Sequence, residues 1–160
     1  MGDSVTGGCF ELYPKEEIYL GNICDTENAY PECVRKIFND FFPETPVNII
    51  QAGIAGDNAK GGLERLERDV LCYSPDLVVV CFGLNDCCVE EEKNSRYLDS
   101  LKEIFEKIKK TFAEIIFMTP NMMNTYVSSL TFPESAKSIA KNTCKLQNEN
   151  VLENLLDRAK

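Results

Sequence analysis

The chain has 160 residues, 44% hydrophobic and 27% charged, and a net charge of −9. That length fits one globular domain with a single sizeable core. The acidic balance excludes a surface built for nucleic acid or an anionic membrane, which needs clustered Lys and Arg. No stretch approaches the roughly 20 apolar residues of a membrane helix. No secretory signal precedes Gly2, so a cytoplasmic location is expected.

Met1-Gly2-Asp3-Ser4-Val5-Thr6-Gly7-Gly8 opens the chain. It reads as a Gly-flanked turn able to present the Ser4 hydroxyl. Residues 9–25 carry turn residues and no clear period, which predicts a loop. Val34, Ile37, Phe38 and Phe41 recur at helical spacing. They predict a helix over 26–42, closed by Pro43 and Pro46. Residues 47–50 form a short β-branched strand, followed by a Gly-containing loop over 52–57. A second helix is predicted over 58–73, with Leu63, Leu66, Val70 and Leu71 buried and Arg65 and Arg68 on the solvated face. Gly61 and Gly62 weaken its first turn. Close backbone approach and plain tolerance explain them equally well.

Residues 77–82 are an uninterrupted apolar run, the pattern of a parallel strand covered on both faces. Gly83-Leu84-Asn85-Asp86 follows directly. A helix over 95–111 should bury Leu98, Leu101, Ile104, Phe105 and Ile108. A strand over 115–118 ends at Thr119-Pro120-Asn121. In the long loop after it, Met122, Met123, Leu130 and Phe132 read as loop anchors. Helices over 134–147 and 151–159 finish the chain, and Asn150 with Glu153 has capping-box spacing. Alternating strands and helices predict a parallel α/β sheet with right-handed crossovers.

The eight cysteines form no Cys-x-x-Cys, and without histidine the usual zinc spacings are missing. They read as reduced structural residues, with Cys72 and Cys81 as small core side chains. Cys87 and Cys88 fall beside the candidate site.

In an open α/β sheet, ligands bind outside the carboxyl ends of the strands. Gly56 and Asn85 each follow such an end, and Ser4 would do so if a strand preceded it. A serine esterase needs a nucleophile and donors aimed at the developing oxyanion. Ser4 supplies the first. The Ser4 N–H, the Gly56 N–H and the Asn85 amide supply the second. Asp3, Asp57 and Asp86 read as hydrogen-bond acceptors that shape their loops. Thr6 replaces the last glycine of Gly-x-Ser-x-Gly, against an ordinary α/β-hydrolase. The phosphate-binding Gly-x-x-x-x-Gly-Lys pattern is absent.

These blocks resemble the SGNH, or GDSL, hydrolase family. Gly2-Asp3-Ser4 matches its first block, Gly56 within Gly53-Ile54-Ala55-Gly56-Asp57 its second, and Asn85 within Gly83-Leu84-Asn85-Asp86 its third. The likeness extends through the 62–71 helix and Pro75-Asp76-Leu77 to Met118-Thr119-Pro120. It implies a three-layer α/β/α fold with a parallel, flavodoxin-like sheet, and cleavage of a small-molecule ester without metal or cofactor. It assigns Ser4 as nucleophile and Ser4, Gly56 and Asn85 as the oxyanion hole.

Two family features are missing from these residues: the Asp-x-x-His block that supplies base and orienting acid, and the strand before Gly-Asp-Ser. The expectation is a single incomplete domain over 1–160, with a slot in its sheet and little or no esterase activity. The alternatives are a non-catalytic ligand-binding module on the same fold and, more weakly, a flavodoxin-like nucleotide binder using the 2–8 loop, which lacks a lysine.

Overall fold

A computed structural model describes residues 1–12, 21–88, 94–122, 125–127 and 134–159. Its sheet is organised around Gly2, which makes parallel bridges to Gly53 on one side and Cys81 on the other. The Gly2 N–H donates to the Ala52 carbonyl and the Ile54 N–H to the Gly2 carbonyl. On the opposite edge the Cys81 N–H donates to the Met1 carbonyl, and the Met1 amino group donates to the Val79 carbonyl at 2.7 Å. Beyond this, β3 (Leu77–Val80) pairs in parallel with β4 (Glu114–Phe117), Leu77 opposite Glu114. The order is thus the 53 segment, Met1-Gly2, β3, β4, all parallel. Val47–Ile50 is not in a regular strand, contrary to the sequence expectation. In the parallel register set by Gly2 and Gly53, residues 47–50 have no partner strand among the described residues.

Helix α1 (Ser4–Gly7) is a single turn. The Asp3 side chain caps it by accepting from the Val5 N–H at 2.9 Å. Gly8 closes it at φ +66°, where a Cβ would lie 2.5 Å from the Asp25 carbonyl oxygen, so only glycine fits. The predicted 9–25 loop instead contains an antiparallel pair, β1 (Cys9–Leu12) and β2 (Gly21–Cys24). Cys9 and Cys24 lie opposite each other in it and are joined by a disulfide. The all-reduced expectation fails for these two; at a sequence separation of 15, no spacing motif announces the pair.

Helices α2 (Tyr30–Phe41), α3 (Ala59–Asp69), α4 (Asn94–Lys109), α5 (Glu134–Asn148) and α6 (Val151–Asp157) follow the predicted periodicity. The core joins Leu66 of α3 and Val70 just after it, Val78, Val80 and Phe82, Leu101, Ile104 and Ile108 of α4, and Leu152 and Leu155 of α6. The stripe on α2 departs from expectation: Ile37 is 55% and Phe41 75% exposed. Val34 and Phe38 are better covered, and Phe42 packs against Phe38 with ring centroids 6.0 Å apart. Cys72 is also exposed, in the 3₁₀ turn Leu71–Tyr73 that ends α3, whereas Cys81 is buried as expected. The Asn150–Glu153 capping box does not form. Asn150 takes a left-handed backbone (φ 54°) to turn the chain between α5 and α6, and Glu153 accepts from Gln147 instead. Met122 is exposed, and Met123, Leu130 and Phe132 lie outside the described residues. Among the described residues no helix is long and apolar enough to cross a membrane.

Gly62 is a close-approach glycine. A Cβ there would stand 2.4 Å from Phe82 Cζ and 3.1 Å from Met1 Cε. Gly→Ala in a helix normally gains about 1 kcal/mol, but overpacking a rigid ring costs about 1–3 kcal/mol. Gly62→Ala is therefore expected to lower the thermal midpoint despite its better helix propensity. A raised midpoint would show that α3 can move off Phe82 at little cost.

Candidate active site

The Gly2 bridges bring three sequence blocks to one rim of the sheet. Ser4, two residues past Gly2, is half-buried at the start of α1. Gly56, three residues past Gly53, is exposed at φ +76°, with nothing within 4 Å of where a Cβ would be. The left-handed backbone requires glycine there, and the open space leaves its surroundings accessible. Asn85 lies in the turn after β3, half-buried, and its Nδ2 donates to the Asp57 carbonyl at 2.7 Å. That bond uses one amide hydrogen, anchors the side chain against the Gly56 loop and leaves a second hydrogen to donate.

The three aspartates shape the loops as expected. Asp57 Oδ1 accepts from the Asn58 N–H. The Asn58 side chain caps α3 through the Gly61 N–H at 3.0 Å. Asp86 reaches across to accept from the Ala59 N–H at 3.1 Å, so the third block holds the first turn of α3. Asp3 is fully buried, and its Oδ2 has no partner among the described residues. Burial raises its pKa against the opposing Val5 N–H bond, and the Asp57 charge adds to the rise.

Burial likewise pushes Asp86 up to about 6; the Ala59 N–H opposes this, while the Asp3 and Asp57 charges reinforce it. The folded state therefore binds this proton more tightly than the unfolded chain. Its stabilising effect is complete below pH 3.8, the ordinary value, and is lost as pH rises through about 6. The cost above that window is on the order of 3 kcal/mol. Asp86→Asn retains an acceptor for Ala59 without the charge. It is expected to raise stability at pH 7.5 by about 1–3 kcal/mol and to bring little gain at pH 4. Denaturant unfolding at the two pH values measures this; an equal change at both would remove titration as the cause.

Arg65 is the residue the sequence misplaces. Read as part of a solvated helix face, it is 7% exposed and sits under the site. Its Nε donates to Asp57 Oδ2 at 2.7 Å, one terminal nitrogen to the Ala52 carbonyl at 3.0 Å and the other to the Gly2 carbonyl at 3.1 Å. Asp69 adds a longer contact at 3.4 Å. One guanidinium thus ties together the block before Ser4, the segment before Gly53 and the loop of Gly56. Asp57 then passes the link to Asn85. A signal was present: Arg65 stands four residues after Gly61 and three after Gly62, on the helix face the two glycines keep bare. Tyr30 was also missed; its hydroxyl lies 3.2 Å from Thr6 Oγ1, supporting the turn that carries Ser4. Among the described residues no group of three or more His, Cys, Asp or Glu is arranged to hold a metal.

An acetylxylan esterase from Geobacillus stearothermophilus is 29% identical over 130 residues, covering 75% of this chain and 57% of that relative. The chain therefore spans just over half the length of this curated relative. The crystal structure of an acetylxylan esterase from the same organism superposes with a TM-score of 0.59 at 20% identity, over 96% of this chain and 70% of that one. A gut microbial diltiazem-metabolizing enzyme superposes with a TM-score of 0.63 at 18% identity, over 94% of this chain and 34% of that one. These likenesses confirm the α/β fold. Residues 1–149 match the sequence model of the GDSL-like lipase/acylhydrolase family, and the chain belongs to that family.

Proposed function

We propose that this site is built for ester hydrolysis through an acyl-serine intermediate, on a short acyl ester such as an acetylated carbohydrate. Ser4 is the nucleophile. The Ser4 and Gly56 N–H groups and the free hydrogen of the Asn85 amide receive the oxyanion. The convergence of the Ser4, Gly56 and Asn85 segments through Gly2 and Arg65 carries this reading. The acetyl-ester preference rests on the acetylxylan esterase relative.

The 160 residues contain no histidine. As it stands the chain thus has a nucleophile and an oxyanion hole without the usual base. The proposal is that it turns over esters poorly until a base is supplied. The test uses p-nitrophenyl acetate with imidazole as external base and buffer-plus-imidazole rates subtracted. A protein-dependent rate that Ser4→Ala abolishes, and Asn85→Ala lowers by about 10²–10³-fold, is the expected result. A rate unchanged by Ser4→Ala would overturn the assignment.

The absence of histidine also favours a second reading, a module that holds the same ligand without cleaving it. It predicts a raised melting temperature with acetylated xylooligosaccharides and no Ser4-dependent turnover with or without imidazole.

A further inference from the structure

Cys87 and Cys88 take no part in the proposed hydrolysis, yet their placement is unusual. Consecutive side chains on a helical turn normally diverge by about 100°. Here the Cys87 thiol donates to the Leu84 carbonyl at 3.0 Å and the Cys88 thiol donates to the same oxygen at 3.2 Å. Two sulfurs on one acceptor lie side by side. The backbone holds them there: the Cys87 N–H donates to the Gly83 carbonyl and the Cys88 N–H to the Asn85 carbonyl. Cys88 is exposed while Cys87 is buried, so one sulfur meets solvent and the other backs it. When Cys88 ionises, the Cys87 thiol can turn from the Leu84 carbonyl to the neighbouring sulfur, and this holds the Cys88 thiol down to about 7 against burial and the Asp86 charge. The same pairing, then burial, pushes Cys87 up. A thiolate with a neutral thiol behind it is therefore available at neutral pH.

We propose that Cys87 and Cys88 form a dithiol capture site for a soft electrophile that takes two sulfurs, of the monosubstituted trivalent arsenical class. Sulfur donors select soft centres. Among the described residues no third acidic, His or Cys side chain joins them as a metal site. A three-coordinate arsenic carrying one organic group needs only two sulfurs. The Asp86 carboxylate beside the pair disfavours anionic ligands and suits a neutral arsenical.

The chemistry is substitution without oxidation. Cys88 thiolate attacks the arsenic of R–As(OH)₂, an As–S bond forms, and hydroxide leaves, taking up the proton that Cys88 released on ionising to give water. Cys87 then forms the second As–S bond; its thiol proton leaves with the second hydroxide as water. In sum, two S–H and two As–O bonds become two As–S bonds and two waters. No step uses Ser4, so the site stands or falls independently of the esterase reading.

The test is intact-mass analysis of the 160-residue chain with phenylarsine oxide, added before any thiol so that the Cys9–Cys24 disulfide is closed while the adduct forms. One arsenical per chain is expected, resistant to excess glutathione and removed by 1,2-ethanedithiol. Cys88→Ser alters an exposed side chain and is expected to weaken retention by about 100-fold, the loss of a second, intramolecular bond. The Cys33→Ser/Cys72→Ser double variant is expected to retain it fully. No glutathione-resistant adduct on the wild-type chain, undiminished retention in Cys88→Ser, or loss in the double variant would each overturn the site.

Discussion

Replacing Arg65 with methionine is expected to lower the stability of the chain by about 3–5 kcal/mol, the usual cost of removing one partner of a buried ion pair. Methionine keeps much of the apolar stem and deletes every donor. It leaves the Asp57 carboxylate without its closest cation and the Gly2 and Ala52 carbonyls short of a donor. Lysine restores the charge as a single point and cannot reach three acceptors in one plane, so Arg65→Lys should recover only part of the loss. Arg68 is the internal control. Its side chain is 75% exposed and its partner Asp69 lies on the surface, so Arg68→Met should cost less than about 1 kcal/mol. Urea unfolding at constant slope reports all three. Arg65→Met within 1 kcal/mol of wild type would show that the guanidinium is a passenger.

The largest expected effect concerns Ser4, which on the proposed reading has no histidine base within these residues. In a serine hydrolase, losing the base costs about 10⁶ in turnover, and the remaining rate comes from binding and the oxyanion hole. Without added base, the wild-type chain and Ser4→Ala should therefore hydrolyse p-nitrophenyl acetate at nearly the same low rate. With imidazole the two should separate, the wild type rising with imidazole concentration and with the fraction of imidazole left neutral. External imidazole lacks the held geometry of a built-in base, so recovery is partial. A high Ser4-dependent rate without imidazole would mean that a group within these residues already does the work. The buried Asp86, raised to about 6, is then the first to test, because its proton affinity suits a general base.

Much of the fold was legible because its signals are local. The stripes of α3 and α4 give period and burial together, and the structure follows them; the apolar run at 77–82 gives the strand β3 but not cover on both faces, since Leu77 is 46% exposed. The three site blocks were picked out by the rule that an α/β sheet gathers its ligands at strand ends; the structure sets two of them just after the Gly2–Gly53 bridge and the third in the turn after β3, and their catalytic roles are the proposal above. What escaped depends on partners far along the chain. Arg65 looks like any helix arginine until Gly2 and Ala52 supply carbonyls beneath it. Cys9 and Cys24 become a disulfide only when the hairpin sets them opposite. Val47–Ile50 has strand propensity but finds no partner strand among the described residues. Asn150 shows the converse: a capping-box spacing is overruled where the chain needs a left-handed turn.

The most direct measurement is fluorophosphonate labelling of the 160-residue chain with and without imidazole, mapped by peptide mass spectrometry. A phosphonate ester forms readily only on a serine that is deprotonated as it attacks and faces an oxyanion hole. The account predicts imidazole-dependent labelling confined to Ser4, absent in Ser4→Ala and strongly reduced in Asn85→Ala. Labelling spread over other hydroxyls, or none at Ser4 with imidazole present, would contradict a serine-esterase site in this chain.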